Sequence, residues 1–224
     1  LRNSNKAARI PEKHSETAFM TNRAMEFIED SKDKPWFLHL SYIKPHWPYM
    51  APAPYHNMYS PNQFYPVHRN EAERSNEHPV YKAFMENSIS KTFSKDEVRN
   101  TVLSGYMGLI KQIDDNLGRL FKFLEDSDHM EDTMIVFTSD HGDYHGDHWL
   151  GEKELFHEQS VRVPMIIYDP SEHANKTRGT KEKRFIEAID LLPTFLDAVE
   201  SPVSKHRLEG NSLLPLLKGE NPSD

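Results

Sequence analysis

Cysteine is absent from all 224 residues. Disulfides and thiolate metal sites are therefore excluded, and the redox compartment cannot be read. An excess of positive charge is also missing: 27 Lys and Arg stand against 35 Asp and Glu, a formal net charge of -8. That balance excludes a broad electrostatic footprint for nucleic acid or an anionic membrane, while leaving room for a local basic pocket. No apolar run reaches the roughly 18–20 residues of a spanning helix, and the first residues, Leu1 to Asn5, have no signal-peptide character. A soluble protein is expected, with cytoplasmic and exported locations indistinguishable. Internal repeats and low-complexity segments are missing as well.

What is present reads as alternating helices and strands. Ser15 is placed to cap a helix running to about Asp30, because Met20, Ala24, Phe27 and Ile28 recur at helical spacing. Residues Pro35 to Tyr42 form a short, mostly apolar run that suits a buried strand. Between Lys44 and Pro79 the chain is rich in proline and aromatics without a period, which predicts a long irregular excursion. Ser94-Lys-Asp-Glu97 has the form of a capping box, flanked by Phe93 and Val98 as a hydrophobic staple. Behind it Tyr106, Ile110, Ile113, Leu117, Leu120 and Leu124 make an apolar stripe at steps of four and three. Gly105, Gly108 and Gly118 weaken this helix by roughly 1 kcal/mol each relative to alanine, so packing must hold it. Strands are predicted at Thr133 to Ser139 and Val163 to Tyr168, and a last helix opens at Asp190 with Pro193 in its first turn. The fold class this implies is α/β, a largely parallel sheet flanked by helices.

The chemistry is concentrated in Ser139 to Glu158, where four histidines, three aspartates, three glutamates and one lysine share twenty positions. In open α/β sheets ligands bind beyond the carboxyl ends of strands. Both this stretch and Lys44-Pro-His-Trp-Pro-Tyr49 begin where a predicted strand ends, so they are candidates for one site. Asp140 and His141, followed by a glycine that lets the backbone turn, are suited to ligating one cation; equally, Asp140 can cap a turn while His141 packs. His145 and His148 could join His141 in a zinc site, but Gly142 and Gly146 argue against the helix that would align them. Lys153 is either a solvated surface residue or a cation that neutralises an anionic substrate beside a metal. His46, between two prolines, is either a rigid-loop spacer or the partner of a leaving group. Local pattern alone leaves these alternatives open.

Taken in order along the chain, the segments Glu16 to Ile28, Lys44-Pro-His-Trp-Pro-Tyr49, Tyr106 to Asp115, Phe137-Thr-Ser-Asp-His-Gly-Asp143, Leu150-Gly-Glu-Lys153, Val161-Arg-Val-Pro164, Asp190-Leu-Leu-Pro-Thr194 and Leu208 to Leu213 resemble the central and C-terminal part of the sulfatase family. That family lies within the alkaline-phosphatase-like superfamily, and the resemblance is strongest to phosphonate monoester hydrolases. It implies that residues 1–224 are the central and C-terminal portion of one sulfatase-like domain whose N-terminal half is missing. By the same resemblance Asp140 and His141 are ligands of a divalent metal ion, calcium or manganese. Many sulfatases have asparagine where His141 stands. Lys153 and His46 fall where the family contacts the sulfate or phosphonate oxygens, His46 also assisting the departing alcohol. The implied substrate is a small anionic ester, with no nucleic acid or membrane partner.

One departure is large. The family's nucleophile is a formylglycine made from the Cys or Ser of Cys/Ser-X-Pro-X-Arg, and no such motif occurs here. The isolated chain is therefore expected to be inactive. The alternative reading is a non-catalytic remnant that binds metal or a partner. Phosphoglycerate-mutase-like or nucleotide-pyrophosphatase-like chemistry is disfavoured by the Lys-Pro-His-Trp-Pro motif.

Overall fold

Helix α1 spans Glu16–Ser31, and Ser15 caps it as the sequence predicts, its Oγ accepting from the Ala18 amide at 3.2 Å. Its buried face consists of Thr17, Ala18, Thr21, Ala24 and Ile28, while Phe27 stays 40% exposed. Small residues on that face let α1 approach its neighbour closely. After an irregular stretch broken by short 3-10 turns come α2 (Pro79–Glu86), α3 (Ser88–Phe93) and the long α4 (Asp96–Asp126). α1 lies against α4, latched by polar groups: Gln112 donates to Ser15 Oγ at 2.7 Å and Asn116 to Glu12 Oε1 at 3.1 Å.

The predicted capping box at Ser94 does not form. The Ser94 hydroxyl donates back to the Ser90 carbonyl at 2.9 Å, closing α3, and the N-cap position of α4 falls on Lys95 without a side-chain cap. Two helices meet within two residues, so one hydroxyl is used by the helix that ends rather than by the one that begins. The staple holds better: Phe93 and Val98 share a cluster with Tyr49, Val102, Ile89 and Tyr106.

The α4 glycines divide into two kinds. A Cβ on Gly105 would lie 2.5 Å from the Tyr49 carbonyl oxygen, and one on Gly108 would collide with the Tyr55 carbonyl oxygen. These two glycines let the 49–55 loop rest directly on the helix. Nothing lies within 4 Å of a Cβ on Gly118. Gly118→Ala is accordingly expected to stabilise by about 1 kcal/mol, whereas Gly108→Ala destabilises by roughly 1–3 kcal/mol through overpacking. Urea midpoints measure both; shifts of the same sign would remove the close-approach account.

Strands β1 (Ile135–Thr138) and β2 (Met165–Tyr168) appear where predicted, with shorter ends, but they pair antiparallel with Ile135 opposite Tyr168 and Thr138 opposite Met165. Among the described residues this is the whole sheet, which corrects the expectation of a largely parallel one. Pro35 to Tyr42 is not a strand either. It does alternate, with Trp36, Leu38, Leu40 and Tyr42 half-buried and Phe37 and Ile43 exposed at 68% and 65%. The side chains have strand periodicity, but no ladder partner flanks the segment among the described residues, and a strand exists only through its ladder.

Three further helices follow: α5 (Glu158–Val161), α6 (Leu191–Ala198) and α7 (Leu214–Leu217). Asp190 precedes α6 and accepts from the Asn211 amide at 2.8 Å, and Thr194 accepts from the Leu213 amide at 2.8 Å. The computed structural model describes residues 3–31, 34–75, 77–202 and 205–220. Contacts divide the chain into two units, Leu1–Ser127 with His141–Val163 and Asp128–Asp140 with Pro164–Asp224. No helix among the described residues is long and apolar enough to cross a membrane.

Candidate active site

Lys44 organises the first loop. Its Nζ donates to the carbonyls of His46 at 3.2 Å and Pro48 at 3.3 Å, so the backbone from His46 to Pro48 is held from within. Loss of hydration pushes the Lys44 ammonium below its usual range, with Glu16 opposing that shift. His46 Nδ1 lies 2.9 Å from the Trp47 carbonyl oxygen, and its Nε2 lies 3.3 Å from Lys153 Nζ. A carbonyl only accepts and an ammonium only donates. The contacts therefore assign the Nδ1–H tautomer of a neutral imidazole, with Nε2 accepting from Lys153. Two residues separated by 107 positions, each ambiguous by itself, are brought into direct contact.

The loop that presents Lys153 is equally constrained. Ser160 Oγ donates to the Lys153 carbonyl at 2.6 Å, the Tyr144 amide to the Glu152 carbonyl at 2.8 Å, and the Gly151 amide to Ser90 Oγ at 3.1 Å. Glu152 adopts a left-handed φ of 65° between these anchors. Burial and then the neighbouring Glu154 push the Glu152 carboxyl up from its usual range.

Asp140 follows β1 by two residues and is exposed; His141 is half-buried. His141 Nδ1 lies 2.7 Å from the Gly142 carbonyl oxygen, which makes Nδ1 the donor of that contact. Metal-ligating histidines are commonly oriented in this way, by a backbone carbonyl on the other nitrogen. Gly142 itself is required, because a Cβ there would run into the Gln159 carbonyl. Among the described residues no group of three or more His, Asp and Glu side chains is arranged to hold a metal ion. As residue types a carboxylate and an imidazole suit a divalent cation, which takes about six ligands.

The zinc alternative with His145 and His148 is not realised. His145 is buried, with ring centroids of Tyr106, Tyr49 and Phe93 at 4.3, 5.4 and 5.8 Å. His148 bonds Glu73 at 2.8 Å and stacks on His157 at 4.1 Å. Both are engaged with these neighbours, on a turn where His145, Gly146 and His148 have left-handed φ.

One tie was not legible in the sequence. Tyr49 Oη donates to Asp143 Oδ2 at 2.7 Å, joining the end of the His46 loop to the residue two beyond His141. Burial, followed by Asp143, pushes the Tyr49 phenol far up. Both residues lie inside the segments singled out above, but spacing carries no information about a bond across 94 positions.

Burial of His145 also has a pH consequence. Desolvation lowers its pKa below 6.5, with Asp143 opposing, and desolvation followed by His148 lowers that of His157. The unfolded chain then binds more protons than the folded one, so stability is complete above pH 6.5 and is lost as pH falls through the depressed values. Denaturant midpoints are expected to fall between pH 7 and 5, and His145→Phe to flatten part of that slope. An unchanged slope in His145→Phe would contradict a neutral, buried imidazole.

The chain belongs to the sulfatase family, whose model matches residues 2–201. It is 36% identical over 99% of its length to the multifunctional alkaline phosphatase superfamily protein PehA of Trinickia caryophylli, covering 45% of that protein. It is 31% identical over 92% of its length to an arylsulfatase of Clostridium perfringens, covering 42% of it. Its structure is similar to the phosphonate monoester hydrolase of Agrobacterium radiobacter, with TM-score 0.89 and 31% identity, covering 98% of this chain and 45% of that one. The chain thus spans less than half the length of these relatives.

Proposed function

We propose that this chain carries the metal-facing and leaving-group side of the active site of a sulfatase-type hydrolase of sulfate or phosphonate/phosphate esters. In this reading, residues 1–224 are the central and C-terminal portion of one sulfatase-like domain. The observation that supports it most is the 3.3 Å contact between Lys153 and His46, the two residues that the family resemblance assigns to the same substrate oxygens. Lys153 neutralises charge on the transferred group without reorganising. His46, anchored through Nδ1, directs Nε2 at the departing alcohol oxygen and gives it a proton only after Nε2 has itself been protonated. Asp140 and His141 contribute ligands to a divalent ion, calcium or manganese, which when bound polarises the transferred group. The substrate is a small anionic ester.

The nucleophile has to come from residues outside this sequence, which has neither cysteine nor a Ser-X-Pro-X-Arg motif.

The test is hydrolysis of aryl sulfates, phosphodiesters and phosphonate monoesters, with divalent metal, by the full-length protein and by the 224-residue chain alone. The full-length protein is expected to turn over at least one class. The chain alone is expected to show no turnover above background and to bind an apolar-surface dye. Multiple turnover by the verified chain would require a nucleophile within it. An inactive full-length protein with an intact nucleophile motif would favour a non-catalytic, metal- or partner-binding remnant.

A further inference from the structure

The bond between Tyr49 and Asp143 joins two segments that each carry candidate catalytic groups. Tyr49 stands three residues beyond His46, and the backbone between them is stiffened by Lys44, whose ammonium donates to the carbonyls of His46 and Pro48. At its far end the segment rests on α4, where the Tyr49 carbonyl lies over Gly105. A displacement of Tyr49 therefore carries His46 with it. Asp143 is held as closely from the other side. The amides of its two neighbours, Gly142 and Tyr144, donate to the carbonyls of Ser160 at 2.7 Å and Glu152 at 2.8 Å, and Ser160 Oγ in turn holds the Lys153 carbonyl. Asp143 Oδ1 accepts from the His145 amide at 3.1 Å, while Oδ2 accepts from the Tyr49 hydroxyl at 2.7 Å.

Packing does not need that hydroxyl. The Tyr49 ring meets Phe93, Tyr106 and His145 edge to face at 6.3, 6.1 and 5.4 Å, and a phenylalanine would keep all three contacts. What the hydroxyl adds is a short bond to a carboxylate, stronger than one between neutral groups and fixed in direction.

We propose that Tyr49 is a positioning residue: through Asp143 its hydroxyl fixes the His46 loop against the segment that carries His141 and Lys153, at the separation from which His46 Nε2 reaches the departing alcohol oxygen. The inference rests on the ester-hydrolase reading and deepens it. Proton transfer needs heavy atoms within roughly 2.6–3.2 Å, and a misplacement of about 1 Å costs up to roughly 10²-fold in rate. The 3.3 Å contact between His46 Nε2 and Lys153 Nζ spans the same two segments and is the distance that loosening would lengthen.

The test uses Tyr49→Phe in the full-length enzyme, with esters that share one acid half and release alcohols of graded acidity. kcat is expected to fall roughly tenfold for the least acidic alcohol, which depends most on a proton donor, and less than about twofold for the most acidic, with KM little changed. In a His46→Ala background the same substitution is expected to cost less than about twofold for every ester, because the group it positions is gone. An equal loss across the series, or a loss undiminished without His46, would make Tyr49 a packing residue and overturn the assignment. Unchanged kcat for every ester would overturn it too.

A second arm needs no turnover. Crystal structures of the full-length protein with and without the substitution measure the separation of His46 Nε2 and Lys153 Nζ, which is expected to lengthen beyond hydrogen-bond reach in Tyr49→Phe. Lengthening in a protein that hydrolyses no ester would leave the anchoring standing and remove the ester-hydrolase reading. An unchanged separation would overturn the anchoring whatever the activity.

Discussion

Asp140→Ala in the full-length protein is expected to abolish ester hydrolysis and to lower bound divalent metal. A carboxylate supplies both charge and a donor atom to a cation, and alanine replaces neither. The local geometry makes the variant a clean one. Asp140 is exposed and follows β1, so truncating it opens no cavity in the core. His141 should be less sensitive to Asn, a residue many sulfatases have there, than to Ala. Metal analysis of folded Asp140→Ala protein decides the matter: undiminished metal in an active variant would return Asp140 to the role of a turn cap.

Lys153→Ala and His46→Ala are each expected to reduce turnover of the full-length enzyme by roughly 10²–10³, the usual cost of removing one preorganised donor. Thermal midpoints should change little, since both side chains are only half-buried and Lys153 is held by its backbone. Because the two groups are 3.3 Å apart, their effects should not add. The double variant is expected to lose little more than the worse single one. Full additivity would mean that the contact is incidental. Unchanged turnover in both single variants would reduce Lys153 to a surface residue and His46 to a spacer.

The helices were largely legible because their signal is local. Ser15 caps α1, and the α4 stripe buries Ile113, Leu120 and Leu124 and half-buries Tyr106 and Leu117, while Ile110 stays 37% exposed. The cap at Ser94 was misread because the same four residues also end α3, and sequence pattern does not say which helix claims a hydroxyl. Strand pairing was not legible at all. Met165–Tyr168 reads as an apolar run whichever way its neighbour points, and only the register with Ile135–Thr138 makes the pair antiparallel. Pro35 to Tyr42 shows the converse, strand periodicity in a segment that forms no strand among the described residues.

By itself the sequence determined the absence of thiol chemistry, the acidic balance, the two segments rich in reactive side chains and, through their order along the chain, membership of the sulfatase family. Tertiary structure alone decided which of those side chains meet. It set Lys153 against His46 and Tyr49 against Asp143, and it enclosed His145 among aromatic rings instead of leaving it beside His141. The reason is physical: composition and periodicity follow from what each residue prefers locally, whereas a contact across about a hundred positions depends on how loops are seated. Here that seating depends on Gly105 and Gly108, where the absence of two Cβ atoms lets the loop that follows His46 lie on α4.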